Sequence, residues 1–313
     1  MTNILKNNDE YKNLDLQLEK FYDFLRFEKQ ISQNTFESYK RDLIIFSNLL
    51  KEKEIENFLQ ISHEDVLSLL ESLFKDYSEK SISRLLSSVR SFYKFLLRNN
   101  PYIKNPFIGI KNPKTDKKLI KVLDEEEVKD FLEKIPYSTK FELRDKAMFE
   151  LLYSSGLRVS ELVNLKLNDI DYEEKLIRCF GKGDKERIVP ISDTSMHFLL
   201  MYIKSARFKI ESKKNFRSND FVFLNKNGSR LTRQGFWKIL KKYEKKFNLN
   251  KDLYPHLFRH SYATHMLERG ADLRVVQELL GHSNISTTEI YTNINKKFIK
   301  DNYYKYHPKA KKH

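Results

Sequence analysis

The sequence lacks the features of several large classes of protein. Cys179 is its single cysteine, which excludes an internal disulfide framework. No run of about eighteen or more apolar residues occurs, and the N-terminus carries no apolar segment of the secretory type. Internal repeats, low-complexity tracts and glycine-rich nucleotide-binding loops are also missing, since Gly181-Lys182-Gly183 does not have P-loop spacing. These absences predict a soluble cytoplasmic protein that does not enter a membrane.

Positive charge is plentiful and unevenly distributed. The chain has 58 Lys and Arg against 43 Asp and Glu, a formal net charge of +15. Residues 1–110 hold 16 residues of each sign, so the excess lies in residues 111–313, with 42 basic and 27 acidic residues. An excess confined to one region predicts a surface for a polyanion, nucleic acid first. The alternative, codon bias in an AT-rich genome, would load both regions alike.

Apolar residues at helical spacing mark four helices in the first third of the chain. The clearest runs from Ile82 to Leu96, and Ser32 and Ser78 have the positions of N-caps. We expect residues 12–108 to form a compact helical bundle. The basic, proline-broken stretch at 109–124 is typical of an interdomain linker.

Two of these helices also carry a basic face opposite the apolar one. A DNA groove could accept this face, because short serines permit close approach while arginines reach phosphates and bases. A solvated helix face is the simpler alternative, and we favour DNA binding. The candidate residues are Lys40 and Arg41 on the second helix, and Lys80, Arg84, Ser87 and Arg90 on the last.

Residues 125–313 predict an α-rich domain with one small antiparallel sheet. Leu176–Phe180 and Arg187–Ile191 alternate in polarity and flank a turn with two glycines, which is typical of a hairpin. Cys179 lies in the first of these runs and is predicted to be a buried structural thiol. Helices are predicted from Asp124 onward and at 144–153, 192–205, 232–247, 255–269 and 273–280. The chain as a whole is therefore expected to be mostly α.

Two pairs of side chains in this domain are suited to holding a phosphate. Arg158 follows a chain reversal at Gly156, and Glu161 stands three positions on, where it can hold the guanidinium. His256 and Arg259 are also three residues apart, near the positive N-terminal end of a predicted helix. Each pair alone is an ordinary surface feature.

Three further side chains extend the set in a fixed order. Lys182 lies at the tip of the predicted hairpin, where an exposed lysine could donate a proton. His282 follows the helix stop at Gly281, and Tyr291 comes nine residues later. A phenolate can attack phosphorus while arginines neutralise the phosphate. The ordered set, rather than any one member, predicts covalent phosphodiester chemistry.

This ordered set resembles the active site of the tyrosine site-specific recombinases, the lambda-integrase family, and most closely the Xer type. The resemblance is strongest in residues 155–162, 181–190, 256–269 and 270–292. It implies that the N-terminal bundle is a SAM-like core-binding domain and that residues 125–313 are catalytic. It also implies an active site of Arg158, Lys182, His256, Arg259, His282 and Tyr291, with Glu161 in support.

The resemblance further implies a transesterification that needs no metal, ATP or other cofactor. Tyr291 would form a 3′-phosphotyrosyl bond, and strand exchange would proceed through a Holliday junction. Arg158 and Arg259 would bind the non-bridging oxygens, and His282 a phosphate oxygen. Lys182 would protonate the leaving 5′-oxygen, and His256 would take the phenol proton.

The implied partners are DNA and other recombinase protomers. We expect double-stranded DNA with a short near-palindromic site, bound as a tetramer on two duplexes. A paralogous Xer recombinase and the FtsK translocase are implied as further partners in resolving chromosome dimers during cell division. The resemblance also implies that residues 293–313 dock on a neighbouring protomer. Their apolar positions, too few for a domain core, fit that role better than a frayed basic tail does.

Three alternatives share part of the pattern. A phage or mobile-element integrase would have the same site, but many carry an extra N-terminal arm-binding domain, and only about a dozen residues precede the first helix here. A type IB topoisomerase has a similar site without the Xer-like segments. A DNA-binding regulator with this fold would not need the complete set of six residues.

Overall fold

A computed structural model of the 313-residue chain describes residues 14–55, 57–99, 102, 104–113, 122–180, 186–211, 220–249, 251–281 and 293–310. The chain divides into two compact units, Met1–Leu119 and Ile120–His313. No helix in these ranges is both long and apolar enough to cross a membrane.

The first unit is helical throughout its described elements. Helix α1 spans Leu14–Asp23 and runs into a π-helical turn at Phe24–Glu28, α2 spans Gln33–Glu52, α3 spans His63–Asp76 and α4 spans Glu79–Asn99. Ser32 caps α2, accepting from the Thr35 amide at 3.3 Å. The core is rich in phenylalanine: the Phe92 ring lies 5.2 Å from Phe21 and 4.7 Å from Phe58. Edge-to-face contacts of this kind add to the stability that burial already supplies.

The second unit begins with three helices. Helix α5 spans Glu125–Lys134, α6 spans Lys140–Ser155 and α7 spans Val159–Asn164. Asp124 caps α5 in a reciprocal capping box with Glu127. Every residue of α6 from Leu143 to Ser155 is buried, including charged ones, so α6 is the central helix of this unit.

One three-stranded antiparallel sheet follows α7. Its strands are β1 (Ile170–Asp171), β2 (Leu176–Phe180) and β3 (Glu186–Pro190), in the order β1-β2-β3. The register pairs Cys179 on β2 with Arg187 on β3. The predicted hairpin is confirmed at both of its strands, and burial of Cys179 is confirmed too.

Further helices complete the second unit. Helix α8 spans Asp193–Met201 and passes through a π-helical turn at Tyr202–Arg207 into α9, Phe208–Glu211. Helix α10 spans Arg233–Lys246, α11 spans Pro255–Glu268, α12 spans Leu273–Leu280 and α13 spans Asn293–Tyr306. The mostly helical fold with one small antiparallel sheet, predicted from the sequence, is confirmed.

Helix α13 packs against its own unit, which differs from the sequence expectation. Ile299 and Tyr303 are buried in the core of this unit. His307 is fully buried and stacks on Tyr303 at 4.8 Å between ring centroids. Burial lowers the pKa of His307 to about 3. The apolar positions of the C-terminal segment therefore contribute to a core of the same chain, and docking on a neighbouring protomer stays a prediction.

Candidate active site

Arg158 is positioned by the turn that joins α6 to α7. Gly156 ends α6 at φ +58°, and a Cβ built there would lie 2.7 Å from the ring of Tyr262. Both the left-handed backbone and the close approach of the ring therefore require glycine. The turn brings Arg158 to the N-terminus of α7, where its backbone amide donates to Glu161 Oε2 at 2.7 Å.

Glu161 accepts four hydrogen bonds from two arginines. Besides the backbone bond, Arg158 Nη1 donates to Oε1 at 2.9 Å. Arg187 adds a bidentate pair, with both Nη atoms at 2.7 Å from the carboxylate oxygens. Burial would raise the pKa of the Glu161 carboxyl, but the bonds from Arg187 and Arg158 outweigh burial, and the pKa lies below its usual value. Glu161 is thus a charged anchor for the guanidinium of Arg158.

Arg259 enters the same cluster from α11. Its Nη1 donates to the carbonyl oxygen of Gly156 at 2.6 Å, and its Nη2 donates to that of Leu280. Burial, reinforced by the positive charges of Arg158 and Arg187, lowers the pKa of Arg259 to about 10. The side chain remains cationic at neutral pH. The structure therefore brings Arg158 and Arg259, both predicted from the sequence, together beside the turn at Gly156 and at the C-terminal end of α12.

His256 lies one turn before Arg259, and Pro255 opens their helix. The imidazole is exposed, and its ring centroid is 6.4 Å from that of His260. Burial of part of the ring lowers the pKa of His256, and the charges of His260, Arg259 and Arg158 lower it further. A neutral imidazole at neutral pH is able to accept a proton.

Arg187 is a site residue that sequence reasoning missed. It lies on β3 with its side chain 5% exposed, and it joins the sheet to Glu161. In the sequence, Arg187 is one basic residue in a strand of alternating polarity. That pattern does not indicate a partner such as Glu161, which lies 26 residues away. Cys179, its neighbour across the strands, is no nucleophile, since burial raises the pKa of the thiol to about 12.

Three of the predicted catalytic residues, Lys182, His282 and Tyr291, lie outside the described residues. The described chain reaches Phe180 and Glu186 on either side of Lys182, and it reaches Gly281 immediately before His282. Within the described ranges, no group of three or more His, Cys, Asp or Glu side chains is arranged to hold a metal ion.

The candidate DNA-binding residues of the first unit fall into two groups. Lys40, Arg41 and Lys80 are exposed. The second group is held by the protein itself. Arg84 pairs at 2.6 Å with the buried Asp42, Ser87 donates to the Ser83 carbonyl at 2.9 Å, and Arg90 donates to Ile110 and Asn112, each at 2.5 Å. DNA contact by these six residues stays a prediction.

Comparison with known proteins gives matches along most of the chain. Residues 121–297 match the phage integrase family, and residues 18–100 match the phage integrase N-terminal SAM-like domain. Tyrosine recombinase XerD of Oceanobacillus iheyensis is 47% identical over 300 residues, which is 95% of this chain and 100% of the relative. Tyrosine recombinase XerD of Listeria monocytogenes is 44% identical over 295 residues, covering 94% and 99% of the two chains.

Solved structures share the fold at lower identity. The Tn1549 transposon integrase in complex with circular intermediate DNA has a TM-score of 0.69 at 21% identity, over 91% of this chain and 97% of that chain. The XerH recombinase bound to palindromic difH substrate has a TM-score of 0.67 at 24% identity, over 92% and 83%. The family match and the XerD relatives show that the chain belongs to the phage integrase family, as a Xer-type tyrosine recombinase that transfers DNA strands.

Proposed function

We propose that this chain cuts and rejoins DNA at a short specific site through a 3′-phosphotyrosyl intermediate, with Tyr291 as the nucleophile. The observation that carries the proposal is the meeting of Arg158 and Arg259 at the end of α12. Both guanidiniums bond to the last carbonyls before the segment that contains His282 and Tyr291. Two cations held at one place match the negative charge that builds on a phosphate under attack.

In the first step, the Tyr291 oxygen attacks phosphorus as the bond from phosphorus to the 5′-oxygen breaks. His256 takes the phenol proton, and Lys182 gives a proton to the leaving 5′-oxygen. Arg158 and Arg259 bind the non-bridging oxygens, and His282 donates to one of them. A phenol with a pKa of about 10 is mostly neutral at pH 7, so the nearby cations and the base must favour its ionisation. The phosphotyrosyl ester replaces the broken phosphoester bond, so its energy is retained. The 5′-hydroxyl of a second strand can then attack the phosphotyrosyl bond and release Tyr291, and strand exchange proceeds through a Holliday junction.

The biological role we propose is resolution of chromosome dimers at a terminus site during cell division, in the cytoplasm. The 47% identity to a XerD relative, over 95% of this chain and 100% of the relative, supports this role over that of a phage or mobile-element integrase. The solved XerH complex, whose substrate is palindromic, supports a short near-palindromic duplex as the partner. A tetramer on two duplexes, a paralogous Xer protomer and the FtsK translocase complete the proposed assembly.

We propose that the C-terminal segment docks on a neighbouring protomer in that assembly. Docking of α13 on a neighbouring protomer would require Tyr303 and His307 to leave the core of their own unit. It would also break the bond from Lys309 Nζ to the buried Glu150, which is 2.6 Å long. We propose that assembly on DNA supplies the free energy for this exchange.

A nicked-substrate assay tests the proposed chemistry. Duplexes are first selected from a randomised library by binding to the Tyr291→Phe variant, and the selected site is then rebuilt with a nick that traps cleaved product. The wild-type chain should form a covalent adduct that survives denaturing electrophoresis and leaves a free 5′-hydroxyl. Tyr291→Phe should bind the same duplex without adduct, while the matched control Tyr306→Phe, on α13, should form adduct as the wild type does.

Two results would contradict the proposal. One is an adduct that persists in Tyr291→Phe, which would assign the nucleophile elsewhere. The other is a wild-type chain that binds the selected duplex tightly yet never becomes covalently attached, as a DNA-binding regulator with this fold would behave.

A further inference from the structure

Three arginines from three different elements converge on the C-terminal end of α12. Arg187 Nε donates to the Leu279 carbonyl at 2.9 Å, Arg259 Nη2 donates to that of Leu280, and Arg158 Nη2 donates to that of Gly281 at 3.2 Å. The last carbonyls of a helix have no partner within the helix and carry partial negative charge. Consecutive carbonyls of this helix end thus fix three guanidiniums side by side.

Arg187 differs from the other two in how its charge is matched. Both of its Nη atoms bond to the carboxylate of Glu161, and its side chain is 5% exposed. Among the described residues, the hydrogen bonds of the Arg259 guanidinium go to carbonyl oxygens, and Arg158 shares Glu161 while remaining 33% exposed. One carboxylate among three guanidiniums leaves an excess of two positive charges. Because Arg187 is buried and forms a bidentate pair with Glu161, that excess lies at Arg158 and Arg259.

Arg187 also defines where the chain leaves α12. Gly281 has φ +65°, and a Cβ built there would lie 3.0 Å from Arg187 Cδ. The backbone therefore passes directly over the arginine side chain one residue before His282. A strand is a rigid base for such a contact, since β3 is paired along its length with β2.

We propose that Arg187 is a positioning residue for the strand-transfer reaction. It fixes the Glu161 carboxylate and the end of α12 relative to each other, and through them it orients Arg158 and Arg259 toward the scissile phosphate. This inference rests on the proposed function. It goes further by assigning a role to a residue outside the predicted catalytic set, one that touches neither DNA nor the reacting atoms.

The test compares substitutions in single-turnover adduct formation on the selected nicked duplex. Arg187→Gln should slow the reaction by on the order of 10²-fold at unchanged DNA affinity, because a misplacement of about 1 Å has that effect. Arg187→Lys should be nearly as slow, since an ammonium keeps the charge but cannot form the bidentate pair. The matched control is Arg207→Gln. Arg207 is also buried, 6% exposed against 4% for Arg187, and bonds to the Phe221 carbonyl and Glu211, so its loss should affect stability and not the rate.

A double-mutant cycle separates positioning from general damage. If Arg187 acts through Arg158 and Arg259, then Arg187→Gln should slow an Arg158→Ala chain by clearly less than it slows the wild type, because residues that share a partner are non-additive. Two results would overturn the inference and leave the proposed function intact. One is that the rate effects of Arg187→Gln and Arg158→Ala are fully additive. The other is that Arg187→Gln alone reacts at the wild-type rate.

Hydrogen exchange provides a readout that does not depend on activity. Arg187→Gln should raise amide exchange in α7 and in α12, whereas Arg207→Gln should leave both helices unchanged. Unchanged exchange in Arg187→Gln would also overturn the inference. If the wild type itself forms no adduct, the proposed function fails, and this measurement still decides whether Arg187 couples the two helices.

Discussion

Replacing Glu161 with glutamine should destabilise the catalytic unit strongly. The carboxylate is 6% exposed and accepts four hydrogen bonds between 2.7 and 2.9 Å from Arg158 and Arg187. Glutamine keeps one acceptor oxygen and turns an NH₂ donor toward guanidinium donors. Removing one partner of a buried ion pair costs about 3–5 kcal/mol, and we expect Glu161→Gln to fall in that range.

The sign of the pH dependence follows from the lowered pKa of Glu161. Its stabilising contribution should be complete above about pH 4.5, the usual value for a glutamate, and should be lost as the pH falls below it. The difference in stability between wild type and Glu161→Gln should therefore shrink in acid.

The single tryptophan makes this measurement specific to one unit. Trp237 lies on α10 of the second unit and is 50% exposed, so its fluorescence in a urea titration reports unfolding of that unit. The matched control is Glu186→Gln, which breaks the exposed ion pair between Glu186 on β3 and Arg178 on β2. It should lower the free energy of unfolding by about 0–1 kcal/mol. A loss for Glu161→Gln no larger than that of Glu186→Gln would refute the view that this carboxylate holds the arginine cluster.

Two further predictions concern protons in the reaction. Lys182→Ala should block cleavage of ordinary DNA and be rescued by a 5′-bridging phosphorothioate, whose sulfur leaves without a proton; failure of rescue would argue against lysine as the acid. His256, acting as base, should lose activity as the pH falls through its lowered pKa, so adduct formation should have an acid limb below pH 6.5. His260→Gln removes a charge that lowers the pKa of His256, so it should move the acid limb to higher pH. The control His197→Gln, on α8 beside Phe198, should leave the limb where it is. An acid limb that His260→Gln does not move would contradict His256 as the titrating group.

Much of the fold was predictable because its signals are local. The N-cap at Ser32 and the hairpin strands around Cys179 follow from short patterns of residue type, and the structure confirms them. The break in α8 at Tyr202 was not predicted, since a π-helical turn leaves the apolar spacing of the segment nearly unchanged. Burial of Tyr303 was missed because the core it enters is formed by segments distant in sequence.

The site was predictable only as a set of residue types in order. The pairing of Arg158 with Glu161 followed from helical spacing and is confirmed at 2.9 Å. The role of Arg187 depends on Glu161 and Leu279, which lie on other elements, and no pattern along β3 encodes those contacts. Likewise, Arg84 was predicted to reach DNA from a helix face, and its partner Asp42 lies on a different helix.

The most direct test of the proposed chemistry is to identify the residue that becomes attached to DNA. The wild-type chain is trapped on the selected nicked duplex, digested with protease and nuclease, and its nucleotide-bearing peptide is sequenced by mass spectrometry. The chain has 17 tyrosines, so the site of attachment is decisive. The account predicts a 3′-nucleotide on Tyr291 and on no other residue. A nucleotide on a different side chain, or attachment through a 5′-phosphate, would contradict it.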